Sequence, residues 1–209
     1  TIIKKMNEHF NVIMLKSKCN HLCFTFSSIV CKSGLNMKTS HIRNKRLVNQ
    51  ITYWKELAKN KKISKELCYS VSEVPSLTLH KYLQSNAFEL REWNIILFQI
   101  IFTMCLLQKE IPGFVHHNLT PKHIYLKKVP PGGQFIYKIG NKRYYVPNCG
   151  YIVKILPSVY SYTSKLYENC VVYDEELQMS MGLHEHNTDS YDSHLFFNTL
   201  YHTKNVPES

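Results

Sequence analysis

The residues best equipped for chemistry lie together in His116-His117-Asn118-Leu119-Thr120-Pro121-Lys122-His123. Imidazoles, an amide, a hydroxyl and an ammonium within eight positions can donate hydrogen bonds, and a histidine can move protons near neutral pH. The stretch holds no carboxylate. Acidic groups are scarce elsewhere too, the only aspartates being Asp174, Asp189 and Asp192. Any mechanism that needs an aspartate before Asp174 is therefore excluded.

A second candidate cluster is Cys19-x-His21-x-Cys23, with Cys31 following. Structural zinc sites take four ligands from paired short spacings, and none of the seven cysteines forms a C-x-x-C pair. In an extended strand Cys19, His21 and Cys23 share one face, so packing is expected there and no metal site. Free, buried thiols fit a reducing compartment. The run GLHEHN (182–187) reads as a polar loop. Lys32 ends the apolar run IVCK and is open to two readings, a phosphate contact or a surface lysine.

Elements that must position these groups follow from pattern. FNVIML (10–15) and LCFTFSSIVCK (22–32) are rich in β-branched and aromatic residues and read as strands joined by a turn. In 41–60, Ile42, Leu47, Ile51 and Trp54 recur at helical spacing, which predicts an amphipathic helix with a basic outer face. ELCYSVSEV (66–74) is a strand, and TLHKYLQSN (78–86) a short helix closed by Asn86. Residues 90–109 are apolar nearly all round, which predicts a buried helix. FVHHNLTPKHIYLKK (114–128) is a loop feeding a strand, PPGG (130–133) a turn, and Gly140-Asn141 joins a hairpin. GYIVKIL (150–156) is a strand stopped by Pro157. The C-terminal stretch reads as acidic loops and then a helix around DSHLFFNTLYH. The fold class is α+β.

The 209 residues are 44% hydrophobic and 12% aromatic, enough for a packed core and too rich for disorder. The longest apolar run, 95–107, is broken by Gln99 and Thr103, whereas spanning a bilayer takes ~20 apolar residues, so no transmembrane helix is expected. No signal peptide is expected either, because charge is scattered through the first residues. The formal net charge of +11 belongs wholly to residues 1–66, which hold fourteen Lys/Arg against Glu8, Glu56 and Glu66. That asymmetry marks either a solvated basic face or one that meets an acidic partner, with Arg43, Lys45 and Arg46 as its candidate contacts. An acidic protein face is the expected partner ahead of nucleic acid, for which no RNA-binding aromatic signature or arginine-rich tract speaks.

The order of these elements, with HHNLTPKHI (116–124) at its centre, resembles a protein kinase. More closely it resembles the kinase-like proteins of large nucleocytoplasmic DNA viruses. TLHKYL (78–83), ILFQIIFTMCLLQ (96–108), YYVPNCGYIVKIL (144–156) and SYDSHLFF (190–197) match the family's helices, hairpin and strand in order. The resemblance implies a bilobal fold with an N-lobe over 1–75 and an abbreviated, helical C-lobe over 76–209.

It also implies what is missing. In the family's H-x-D-L-x-x-x-N loop, the catalytic aspartate falls on Asn118 and the metal-binding asparagine on His123. The metal-binding aspartate of D-F-G falls on Pro157, and Thr120 stands at a lysine position. An amide cannot serve as a base at neutral pH, and magnesium prefers oxygen to nitrogen ligands. No glycine-rich loop precedes Gly34, and no acidic residue lies between Lys32 and Glu56 to pair with that lysine. The implied protein is a degenerate pseudokinase without ATP, magnesium or another cofactor. Its expected role is a binding, scaffold or virion-structural module in host cytoplasm or virion interior. Weak or atypical phosphotransfer and basic nucleic-acid binding are the alternatives. His116 and Asp192 are its expected structural pair, the aspartate accepting bonds from the loop backbone.

Overall fold

Met6, Phe10 and Ile13 recur one turn apart and are all buried, which is the apolar stripe of a helix. They belong to α1 (Ile2–Ser17) in a computed structural model that describes residues 2–17, 19–32, 38–60, 66–85, 89–163, 166, 169–183 and 190–203. The strand expected over FNVIML is thus corrected to helix. Its β-branched content was a local preference, overridden by the three-residue stripe that seats α1 in the core.

Two strands, β1 (Thr25–Cys31) and β2 (Leu67–Ser72), pair antiparallel, with Ile29 opposite Tyr69 and Ser28 opposite Ser70. The Asn7 amide of α1 donates to both Ser28 and Ser70, fixing the helix across this ribbon. Between them in sequence runs α2 (Lys45–Lys59), capped by Asn44, whose Oδ1 accepts from Leu47 N at 3.2 Å. Ile51 and Ala58 are its buried residues, whereas Leu47 and Trp54 of the expected stripe are each 39% exposed.

The central sheet has the order β3 (Leu77–Thr78), β5 (Ile124–Lys128), β8 (Tyr151–Ile155), all antiparallel. Thr78 also caps α3 (Leu79–Gln84) through its hydroxyl. The helix closes at Ser85, and Asn86 lies outside the described residues. Next comes α4 (Leu90–Glu110), long and apolar enough by composition to cross a membrane. Its Trp93, Ile96, Ile100, Met104 and Leu107 are buried in one core with Phe10, Leu79, Leu126, Val153 and Phe196. Burial is one-sided rather than all round, since Ile101 and Cys105 are exposed. The interrupting polar residues have structural roles. Gln99 accepts from Val153 N and donates to Tyr151 O, satisfying the outer edge of β8, and Thr103 bonds back to Gln99 O.

After α4 come β4 (Phe114–Val115), the hairpin of β6 (Gln134–Ile139) and β7 (Lys142–Pro147), and β9 (Tyr162–Thr163), which pairs with β4. Gly140 at the hairpin tip has φ of 59°, a conformation that needs glycine. The expected acidic loops contain a short 3-10 turn (Cys170–Tyr173) and α5 (Glu175–Met181). The C-terminal helix is α6 (Tyr191–Tyr201). The architecture is a mixture of helix and strand, compatible with α+β.

Candidate functional site

The stretch 116–123 joins β4 to β5 and is anchored from α6. Asp192, in the first turn of that helix, accepts from His116 N through Oδ2 at 2.6 Å and from His117 N through Oδ1 at 3.0 Å. Two successive backbone N–H groups aimed at one carboxylate form an anion nest, filled here by a side chain of the same chain. His117 adopts φ of 58°, the left-handed region that non-glycine residues rarely enter. Its ring Nδ1 donates to Tyr160 O, so both sides of the turned residue are held. His116 is buried, with Nε2 donating to Leu156 O at 2.8 Å and Nδ1 accepting from Asn118 N. Both nitrogens are satisfied in the neutral ring, and burial pushes its pKa down to about 4. Asp192 is pushed up to about 6, because burial outweighs the two N–H bonds and the nearby His117.

Beyond this anchor the loop closes on itself. Thr120 Oγ1 and His123 Nδ1 are 2.9 Å apart, and Asn118 Nδ2 approaches His123 Nε2 at 3.4 Å. Both ring nitrogens of His123 thus have partners within the loop. Desolvation, then the neighbouring Lys122, lowers its pKa. Asn118 and His123 are therefore brought together, but as partners of one another. Pro157 follows β8, half-buried, and leads into a tight turn in which Ser158 N donates to Ser161 Oγ and Ser161 N donates back to Ser158 O.

The remaining candidates lie apart in the fold. Lys32 is exposed in the turn after β1. Lys45 and Arg46 open α2 and are exposed, but Arg43 precedes the Asn44 cap, which corrects its expected place within the helix. Cys19, His21 and Cys23 are buried, yet they occupy a turn and an isolated bridge, Leu22 to Ile155, rather than a strand. His21 stacks on Tyr137, taking its hydroxyl at Nε2 (2.9 Å) and giving Nδ1–H to Val153 O. No group of three metal-ligating side chains occurs among the described residues. Most of GLHEHN lies outside them. The expectation of uniformly buried thiols is corrected by Cys105, which is exposed, and by half-buried Cys31, Cys68 and Cys149.

One charged centre escaped the sequence reading. Glu73, just past β2, accepts from Lys154 Nζ through Oε1, from Lys127 Nζ through Oε2 at 2.9 Å, and from Phe24 N at 3.0 Å. Lys154 is buried and also donates to Leu22 O. Burial alone would raise the Glu73 pKa; the Lys154, Phe24 and Lys127 bonds together hold it below the ordinary value. This knot joins the β1–β2 ribbon to β5 and β8. The only sequence signal was an acidic residue closing an alternating strand.

No protein-family model matches the chain. Among curated proteins it is similar to one from Acanthamoeba polyphaga mimivirus named "Putative serine/threonine-protein kinase", 25% identical over 134 residues. The match covers 61% of this chain and 28% of that relative, so the chain spans less than a third of the relative's length. The chain therefore has a distant relationship to a viral kinase-like protein, carried on a mixed helix and strand fold.

Proposed function

We propose that the chain is a kinase-fold module that does not transfer phosphate and that acts through its surface as a binding or scaffold component. Its lobes correspond to residues 1–75 and 76–209. The observation that carries this reading is the loop itself. At the family's base and metal positions stand Asn118 and His123, which bond to one another, and Pro157 offers no oxygen ligand on its side chain. Phosphoryl transfer rests on positioned carboxylates and metal ions, and neither Asn118 nor His123 supplies a carboxylate. The test is incubation of the purified chain with labelled ATP, magnesium and generic protein substrates. Incorporation is expected at the level of the enzyme-free control, since loss of one acid–base group alone costs ~10²–10⁴ in rate. ATP-dependent labelling that disappears in Asn118→Ala would overturn the reading.

The working surface in this proposal includes the start of α2, where Arg43, Lys45 and Arg46 are exposed and face an acidic protein in a viral or host assembly, in host cytoplasm or virion interior. Charge-driven association weakens as added salt screens it. Reversal of all three residues to Glu is expected to abolish retention of the native complex at low salt while leaving the melting temperature unchanged. Duplex DNA binding whose log affinity falls with log salt at about −0.9 per neutralised phosphate would instead identify nucleic acid as the partner. Unchanged retention and no DNA binding would show these residues to be only a solvated face.

A further inference from the structure

A cavity of about 520 Å³ opens between α3, the segment Thr120–Lys122 and the C-terminal end of α6. Its walls are held firmly: His80 N donates to Pro121 O at 2.8 Å, tying α3 to the loop, and Thr203 Oγ1 bonds Thr199 O at the helix end. The lining has no carboxylate. It presents His80, Gln84, Lys122, Asn198 and His202, with threonines and Pro121 between them. Among the described residues, no hydrogen bond or ion pair engages the side chains of these five.

The chemistry of that set is one-sided. An ammonium brings three donors, each amide two, and an imidazole at least one even when neutral. Acceptors are confined to two amide oxygens, imidazole nitrogens and hydroxyls, most of the latter already engaged. A group rich in lone pairs and negative charge answers such a wall, as a phosphate monoester or carboxylate does. The volume falls in the range of ligand pockets, ~300–1,000 Å³, and exceeds what one oxyanion fills. Pro121 and the aliphatic stems supply an apolar wall for the atoms that carry the anion.

We infer that this cavity is a receptor for an anionic side chain presented on a peptide, either a phosphorylated residue or a run of Asp/Glu. The inference rests on the binding-module reading and deepens it by naming the chemistry of a partner. Lys122 supplies the fixed charge, His80 and His202 approach the anion from opposite elements, and the amides complete its coordination.

The test uses the full chain, labelled to observe histidine ring resonances, titrated with three degenerate peptide pools. The pools differ only in their three central positions: phosphoserine between degenerate neighbours, three glutamates, or serine between degenerate neighbours. The rings of His80 and His202 are expected to shift with one of the two anionic pools and to stay still with serine, which also tells phosphate from carboxylate recognition. Lys122→Glu and His202→Glu are expected to weaken that binding at least about tenfold, with Lys142→Glu, exposed on the β6–β7 hairpin outside the lining, leaving it unchanged. No ring shift with either anionic pool, or equal weakening by Lys142→Glu, overturns the inference. So does a duplex oligonucleotide that moves the same resonances as strongly. Phosphotransfer in the assay above would remove the non-catalytic reading while leaving these titrations interpretable, so the two failures are distinguishable.

Discussion

Replacing Glu73 by Ala is expected to destabilise the fold by about 3–5 kcal/mol, the usual cost of stripping one partner from a buried ion pair. Lys154 Nζ would then remain buried, still donating to Leu22 O, and Phe24 N would lose its acceptor. Lys154→Met should cost less, because Glu73 is partly exposed and keeps Lys127 and the Phe24 N–H. The double variant Glu73→Ala/Lys154→Met should recover most of the loss, leaving about 1–3 kcal/mol for the unsatisfied Phe24 amide. Urea unfolding of the four proteins closes the cycle. A Glu73→Ala variant within 1 kcal/mol of the parent, or a double variant weaker than either single one, would refute a coupled pair. The pH dependence has a defined sign. The folded-state pKa of Glu73 lies below its ordinary 4.5, so its contribution is complete above that value and is lost as pH falls through the depressed pKa.

That centre also shows where sequence reading stops. The long helix, the Gly140 hairpin and the Thr78 start of α3 were legible because each is announced by neighbours: an apolar run, a turn glycine, a capping hydroxyl. Even α1 carried its signal in Met6, Phe10 and Ile13, but a short β-branched run masked it. The Asn44 cap was equally present in the sequence, three residues before Leu47, and would have placed Arg43 outside α2. By contrast, Glu73 meets Lys154 across 81 positions and His116 meets Asp192 across 76. No spacing rule connects such pairs; only the chain's path does. The Asp192 position was reached through family resemblance, whereas Glu73 had none to draw on. Two-residue strands such as β4 and β9 have no periodicity to detect.

Removing that anchor is the second large effect expected. Asp192→Ala leaves the N–H groups of His116 and His117 without their carboxylate in a buried site, at about 1–3 kcal/mol each. It also releases His117 from one of the bonds that hold its positive φ. Asp192→Asn should cost roughly half as much, since one amide oxygen can still accept while the NH₂ faces the other donor. The pH profile separates this from a general packing defect. Asp192 has a folded pKa of about 6 against an ordinary 3.8. Its own titration therefore adds stability that is complete below about 3.8 and lost as pH rises through 6. His116 and His21, both pushed down to about 4 by burial, act oppositely: unfolded chains take up their protons first as pH falls below 6.5. Each histidine contributes on the order of 3 kcal/mol across that interval, so two outweigh one aspartate. The parent protein should gain stability from pH 4 to 6.5, and Asp192→Ala should gain more steeply. The stability gap between parent and variant should accordingly narrow as pH rises through this range. A gap that widens with pH would mean that Asp192 is already ionised in the folded state at pH 4, with the two backbone N–H bonds prevailing over burial.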